Sequence, residues 1–355
     1  MSCNLRELIQ RLSDMRGTSG FEYRLNKEIA ALFEPLCDEV RLDALGSIIA
    51  VRHCGKHDAP KIMIEAHCDE IGLIVTSITD EGYLTVAQVG GVDQRILPGL
   101  EVVVHAQERD INAVIGIMPP QYIEDGKTVK LRDLAVDTGL CADEVKRLVS
   151  VGDSVTIAQS VGALGEDQWS GKSLDDRASV AALLRALELL QSKELNADVY
   201  AVAAVQEEVG CRGGRTTAAG IRPDAAIAVD VTHGITPDNS DYAFEVGSGA
   251  AVSTGPNIHP LLEREIIKSA KKRGIKYTIE VSGGDTGTDA WEAQVSAGGG
   301  VPTMLLSIPL KYMHTSVETL AVSDVEAVAE LLAAYIEDFE STDSLSFEKE
   351  AALWS

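Results

Sequence analysis

The chain has 355 residues with a formal net charge of −24, and 24% of its residues are charged. A negative excess of this size argues against nucleic acid or an anionic membrane surface as a partner, because both would repel the protein. No apolar stretch approaches the length that crosses a bilayer, and the first residues lack the pattern of a signal peptide. The six cysteines are scattered without a CxxC pair, which indicates reduced thiols. We therefore expect a cytoplasmic protein.

The first predicted elements are helices followed by short strands. Apolar residues at positions 5, 8, 9, 12 and 15 recur with helical spacing and predict an amphipathic N-terminal helix. A second helix is predicted near residues 22–33, followed by strands at 39–42 and 47–51. The apolar run at 62–66, within KIMIEAHCDEIG, predicts a buried strand.

Between residue 73 and about residue 157 the helical spacing nearly vanishes. Short strand-like runs (LIVTSI, YLTVAQV, LEVVVHA, NAVIGIM and DSVTIA) are separated by turn signals, and only residues 141–149 have a helical pattern. This spacing predicts a small β-barrel.

The alternation of helices and strands resumes near Lys172 and ends in a helix predicted at residues 324–339, which Ser323 and Glu326 would begin as a capping box. The sequence therefore predicts an α/β fold with a mixed sheet flanked by helices, split by an inserted small β-barrel. The predicted parts are a catalytic domain at 1–70 plus 165–345, the barrel insertion at 71–164 and a polar tail at 346–355.

Two adjacent glutamates, Glu207 and Glu208, follow the apolar run 200–205 in YAVAAVQEEVGCRGG. At neutral pH two like charges at the end of a buried strand repel each other, and desolvation adds to the cost. A divalent cation would remove this conflict if one carboxylate bound it and the other, with a raised proton affinity, acted as a base. The alternative is that both are solvated loop residues.

His67 and Asp69 follow the strand predicted at 62–66. Residues i and i+2 of a strand face the same side, so these two side chains can touch. A carboxylate that orients an imidazole in this way is a common partner of a metal-binding histidine.

Three further acidic or histidine residues lie next to predicted apolar runs. Asp175 precedes an apolar helical stripe, where it could instead be a helix cap; Asp230 ends the run 225–229; and His314 follows the run 303–308. Open α/β sheets bind ligands at the carboxyl ends of their strands, where these residues are expected. Two histidines and three carboxylates suit zinc, cobalt or manganese. The predicted metal ligands are His67, Asp175, Glu208, Asp230 and His314.

The segments EAHCDEIG, KSLDDRAS, VQEEVGCRGG, AVDVTHG, GTDA and VPTMLLSIPLKYMHTSVE, in this order, resemble the M42 family of dinuclear metallo-aminopeptidases. These are the TET or glutamyl aminopeptidase-like proteins, some of which carry endoglucanase labels. The resemblance implies a zinc-peptidase-like catalytic domain with two divalent ions per subunit. Zinc or cobalt is the expected metal, with manganese as the alternative. It also implies a homo-oligomer assembled through the inserted barrel, such as a tetrahedral dodecamer built from dimers.

Carried over residue by residue, the family's ligands fall on the five residues selected above. The resemblance makes Asp175 the ligand shared by both metals, Asp69 the residue that orients His67, and Glu207 the general base. The implied reaction removes N-terminal residues from short peptides through a metal-activated water.

Three other functions fit parts of the pattern: a related deacylase acting on N-acyl amino acids, a glycoside hydrolase, and a catalytically silent assembly protein. A glycosidase needs two free carboxylates in a cleft usually lined by aromatic residues, and only three tryptophans occur. The sequence leaves open the preferred N-terminal residue, the native metal, the subunit number and the roles of His233, Arg212 and Lys311.

Overall fold

The computed structural model describes residues 4–117, 129–239 and 241–350. The helices in chain order are α1 (Leu5–Asp14), α2 (Asn26–Phe33), α3 (Ala142–Leu148), α4 (Leu174–Leu190), α5 (Arg212–Ile221), α6 (Pro260–Arg273), α7 (Asp289–Gln294) and α8 (Val322–Asp338). The strands are β1 (Glu39–Leu42), β2 (Ile48–Arg52), β3 (Lys61–His67), β4 (Gly72–Ile78), β5 (Leu84–Val89), β6 (Glu101–His105), β7 (Asp110–Gly116), β8 (Ala135–Asp137), β9 (Ser154–Ile157), β10 (Gly162–Leu164), β11 (Gln168–Gly171), β12 (Asp198–Ala204), β13 (Ala225–His233), β14 (Ala250–Thr254), β15 (Tyr277–Val281), β16 (Thr303–Leu310) and β17 (Glu318–Ala321). Among these described helices, none combines the length and apolar character needed to span a membrane.

An eight-stranded sheet forms the centre of the α/β part, in the order β1-β2-β12-β3-β13-β16-β14-β15. The four strands β12, β3, β13 and β16 run parallel, whereas β2 and β14 pair with their inner neighbours in the antiparallel sense. Helices α1, α4, α6 and α8 cover one face, and α5 and α7 cover the other. Because both faces are covered, the central strands are almost uninterrupted apolar runs, and every residue of β16 is buried.

The second unit is a closed barrel of six antiparallel strands in the order β4-β5-β8-β7-β6-β9. It has its own apolar core, to which α3 contributes Val145 and Leu148. The mixed sheet flanked by helices and the inserted barrel confirm the predicted fold class. Strands β10 and β11 pair with β17 outside the barrel, and the division into domains at 71–164 stays a prediction.

The predicted capping box of the last helix is wrong. Helix α8 begins at Val322, and the Ser323 hydroxyl donates a hydrogen bond to Asp167 (2.6 Å) instead of capping the helix. The Glu326 carboxylate accepts hydrogen bonds from the Arg185 guanidinium (3.0 Å). Both side chains are therefore used in contacts between elements, which the local pattern does not encode.

The second helix and the tail also differ in detail from the expectation. The segment predicted as one helix at 22–33 is a short 3₁₀ helix, Glu22–Arg24, followed by α2. In the tail, the Phe347 ring packs on His259 with ring centroids 4.8 Å apart. Residues 351–355 of the predicted polar tail lie outside the described part of the chain.

Candidate active site

The predicted site residues gather at the edge of the sheet where the four parallel strands end. His67 is the last residue of β3, Glu207 comes shortly after β12, and His314 follows β16. Asp230 differs from the expectation because it does not end its strand, which continues to His233. Parallel strands bring their carboxyl ends to the same edge, so residues distant in sequence meet there.

The carboxylate of Asp175 lies between two imidazoles. Its Oδ1 is 3.0 Å from Nε2 of His67, and its Oδ2 is 3.3 Å from Nε2 of His314. Oε2 of Glu208 is 3.4 Å from the same nitrogen of His314. Burial alone would raise the pKa of Asp175, but the hydrogen bonds from the two imidazoles outweigh it and hold the pKa below the usual range. A carboxylate with one imidazole on each oxygen has the geometry of a ligand that can be shared by two metal ions.

Asp230 and Asp176 form a second group of possible ligands with His67. One oxygen from each carboxylate and a ring nitrogen of His67 lie within 4.8 Å of one another. Asp176 is fully buried, and neither of its carboxylate oxygens has a hydrogen-bond partner among the described residues. Sequence reasoning did not select Asp176, because the two neighbouring aspartates of LDDR give no local sign of where each one points. Non-helical torsion angles at both Asp175 and Asp176 separate their directions.

Asp69 holds the turn that carries the two glutamates. Its Oδ1 is 3.5 Å from Nδ1 of His67, which is longer than a good hydrogen bond. The same carboxylate accepts the backbone N–H groups of Glu207 (3.0 Å) and Glu208 (3.2 Å) and the hydroxyl of Ser19 (2.5 Å). Burial would raise the pKa of Asp69, but the nearby His67 imidazole, and then the hydrogen bonds from Ser19 and the backbone of Glu207, lower it. Asp69 is therefore an anion that anchors the glutamate turn and also faces the imidazole.

The two glutamates point to different parts of the site because the chain turns before them. Gln206 has a positive φ of 60°, which ends the extended conformation of the strand. Oε2 of Glu207 lies 3.9 Å from Nε2 of His67, and its Oε1 accepts a hydrogen bond from the Cys211 thiol (3.1 Å). Burial raises the pKa of Glu207 to about 7 and that of Glu208 well above its usual range. Glu208 contacts the His314 side of the cluster, and its assignment as a metal ligand stays a prediction.

Two residues that sequence reasoning missed fix His314 and Asp175 in place. The Glu318 carboxylate accepts the backbone N–H of His314 (3.0 Å) on one oxygen and that of Asp175 (3.1 Å) on the other. The carbonyl of Gly91, in the barrel insertion, lies 3.1 Å from Nδ1 of His314 and can accept its proton. A hydrogen bond from Nδ1 of a histidine sets the tautomer in which Nε2 is free to bind a metal.

A third group of acidic and thiol side chains lies behind Glu207. Ligand atoms of Glu207, Cys211 and Asp289 lie within 4.8 Å of one another. Asp289 is buried, and burial, together with the nearby Glu65, raises its pKa well above the usual range. The GTDA segment that supplies Asp289 contributes to the family resemblance, but sequence reasoning gave Asp289 no role.

The site opens into a cavity of about 510 Å³. His233 lines this cavity, so it is placed to contact a substrate. Arg212 and Lys311 are not among its lining residues, and the Arg212 guanidinium donates instead to the side chain of Gln206 (3.2 Å). Glu280, which sequence reasoning did not select, lines the wall contributed by β15.

The chemistry of this cluster fits divalent cations. Burial and the repulsion of neighbouring carboxylates raise the pKa of several acids well above the ordinary range. Cations bound among these groups would offset both costs, and oxygen and imidazole donors suit zinc, cobalt or manganese. The acids whose pKa is raised in this way are Asp176, Glu208, Asp230, Asp289 and Glu318.

An α/β domain with a barrel insertion and a buried cluster of acids and histidines at its sheet edge describes a class of metal-dependent hydrolases, and comparison with known proteins identifies the family within it. The family model described as M42 glutamyl aminopeptidase matches residues 46–331. The chain therefore belongs to the M42 aminopeptidase family, and the predicted family and peptidase class are confirmed.

Individual relatives match along almost the whole chain. The lysyl aminopeptidase of Pyrococcus furiosus is 34% identical over 345 residues, which cover 95% of this chain and 98% of the relative. Among solved structures, the aminopeptidase APDkam598 of the archaeon Desulfurococcus kamchatkensis has a TM-score of 0.89 at 35% identity and covers 96% of both chains. The TET1 peptidase of Pyrococcus horikoshii, described as assembling into a tetrahedron or a large octahedral shell, has a TM-score of 0.84 at 31% identity and covers 95% of this chain and 100% of its own.

Proposed function

We propose that the protein is a dinuclear metallo-aminopeptidase that removes N-terminal residues from short peptides. The observation that carries this proposal is the position of the Asp175 carboxylate, with His67 on one oxygen and His314 on the other. Asp230 would complete the set on the His67 side, and Glu208 on the His314 side. These five residues would hold two divalent ions, with Asp175 shared between them.

The residues of this chain would divide the proton transfers and the positioning of groups. When bound, the two ions would supply Lewis-acid chemistry, lowering the pKa of a water and polarising the scissile carbonyl. Glu207, whose carboxylate is partly buried beside the cluster, would take the proton from the attacking water and deliver it to the leaving amine. Asp69 would orient His67 and keep the turn of the two glutamates fixed.

We also propose zinc or cobalt as the native metal, with manganese as the alternative, on the basis of the mixed imidazole and carboxylate donors. The barrel would mediate assembly into a homo-oligomer, such as a tetrahedral dodecamer built from dimers. The tetrahedron described for the TET1 relative supports this assembly. We propose a cytoplasmic location because of the strongly acidic composition and the scattered cysteines.

The test is an assay of the purified protein on a panel of aminoacyl-anilides after chelation and stepwise return of each metal. We expect chelation to abolish hydrolysis and activity to return with two ions per subunit. N-acetylated peptides should be poor substrates, since a free α-amine is required at the metal site. Comparable rates on acetylated and free peptides would overturn the aminopeptidase assignment and favour the deacylase alternative.

A further inference from the structure

Glu280 places a carboxylate in the wall of the active-site cavity. It lies on the edge strand β15, opposite Ser253 in the register of β14. Its side chain is half-buried and lines the same cavity as Glu207 and Glu208. The proposed metal chemistry makes no use of it.

Three hydroxyl groups hold this carboxylate in one position. Thr232 donates to Oε1 (2.5 Å), while Ser253 (3.0 Å) and Ser307 (2.8 Å) donate to Oε2. A carboxylate has about four acceptor positions, so one remains on Oε1. The three donors are neutral, and within the described part of the chain the Glu280 carboxylate forms no salt bridge. A group held by three side chains from three strands is built into the wall rather than mobile.

The register of the strands fixes how far Glu280 lies from the proposed metal ligands. Thr232 is two residues beyond Asp230 on β13 and so lies on the same face, about 7 Å further along the strand. Ser307 is the register partner of Asp230 on β16. Glu280 contacts both hydroxyls, so its carboxylate lies one side-chain length away from the place where Asp230 would hold a metal. The side chain of a substrate's first residue would extend over this distance when its amine is at the metals.

The rest of the cavity suits a long side chain with a positive end. Val231, Leu305 and Met313 line it and offer apolar contacts to an aliphatic stem. No lysine or arginine of the described chain is among the lining residues, so the charge of Glu280 is not neutralised there. An acidic substrate side chain would be repelled, and an aliphatic one would cover the carboxylate without pairing it.

We propose that Glu280 is the specificity-determining residue of the subsite for the N-terminal side chain, and that it selects lysine and arginine. This inference rests on the proposed aminopeptidase function. The remaining acceptor position on Oε1 would take a hydrogen bond from the substrate ammonium or guanidinium.

The test compares lysyl and norleucyl anilides, whose stems are alike and which differ in the terminal ammonium, on the metal-loaded protein. We expect kcat/KM for the lysyl substrate to exceed that for the norleucyl substrate, and the glutamyl anilide to be the poorest of the three. In Glu280→Gln the lysyl-to-norleucyl ratio should fall about 10- to 100-fold, which is the effect of losing a hydrogen bond to a charged group. Glu194→Gln, the same charge change at an exposed residue, should keep the wild-type ratio.

Metal content and melting temperature, measured for each variant, show whether Glu280→Gln is folded and loaded. If the wild type hydrolyses the norleucyl substrate as well as the lysyl one, or if the ratio survives in a folded Glu280→Gln, the specificity assignment is wrong while the aminopeptidase function stands. If no free-amine anilide is hydrolysed with any metal, the proposed function fails and this inference fails with it.

Discussion

The paired glutamates allow the proposed chemistry to be separated into two measurable parts. In Glu207→Gln the amide has the same shape, and the backbone N–H of the residue stays bound to Asp69 (3.0 Å). The substitution therefore removes the base without moving the turn. Loss of general-base catalysis costs about 10²- to 10⁴-fold in turnover, which is about 2.7–5.5 kcal/mol of transition-state stabilisation. Metal content should stay at the wild-type level.

Glu208→Gln should lose metal first and lose activity as a consequence. Its carboxylate contacts His314 (3.4 Å), so a neutral amide there weakens metal binding first. Replacing an outer partner of a ligand typically costs 10- to 100-fold in metal affinity, and we expect at least this from a direct ligand. Excess metal should therefore restore part of the activity of Glu208→Gln.

The assay is metal analysis after dialysis, together with turnover measured across a metal titration, for both variants and the wild type. We expect Glu207→Gln to be loaded and slow at every metal concentration, and Glu208→Gln to be depleted and rescued by metal. Equal metal loss in both variants, or rescue of Glu207→Gln by added metal, would refute the division of labour between the two residues.

Three further outcomes follow from other parts of the structure. Glu70→Gln should lower the free energy of unfolding by about 3–5 kcal/mol, because the Lys172 ammonium (2.7 Å) and the Arg177 guanidinium (3.7 Å) would lose their buried carboxylate. Urea denaturation of the chelated protein measures this change, and an unchanged transition midpoint would contradict it. Gly91→Ala should reduce metal content below two ions per subunit, since an added Cβ would lie 2.7 Å from Nδ1 of His314, and full loading would contradict the assigned contact. Deletion of the barrel should give smaller assemblies by light scattering while the α/β part still folds, and a monomeric full-length protein at micromolar concentration would count against the barrel as the assembly domain.

The fold and the position of the site could be predicted because they depend on patterns within short segments. Buried parallel strands read as continuous apolar runs, and the residues that follow them lie at one edge of the sheet. This is why His67, Glu208 and His314 could be selected before their contacts were known. The sequence pattern does not locate every strand end: β13 continues past Asp230 to His233, because polar residues within a strand look like its end.

The residues that sequence reasoning missed act through contacts between distant segments. Glu318 holds the backbone of Asp175, which is 143 residues away in the chain, and no local pattern marks that contact. Asp176 and Asp289 are buried acids whose significance comes only from the carboxylates around them. The failed capping box of α8 has the same cause, since Arg185 binds Glu326 from another helix.

The contact between Gly91 and His314 ties the inserted barrel to the proposed chemistry. The barrel supplies a backbone carbonyl 3.1 Å from the imidazole nitrogen that does not face the cluster, across 223 residues of sequence. His314 has a positive φ of 62°, an uncommon conformation for a residue with a side chain, which must be held by its surroundings. Glu318 holds the backbone of this residue and Gly91 holds its ring, so the α/β part supplies one restraint and the barrel supplies the other. A barrel shifted by assembly would therefore change the direction of a proposed metal ligand. The orientation of the His314 ring therefore depends on the position of the barrel as well as on the α/β part.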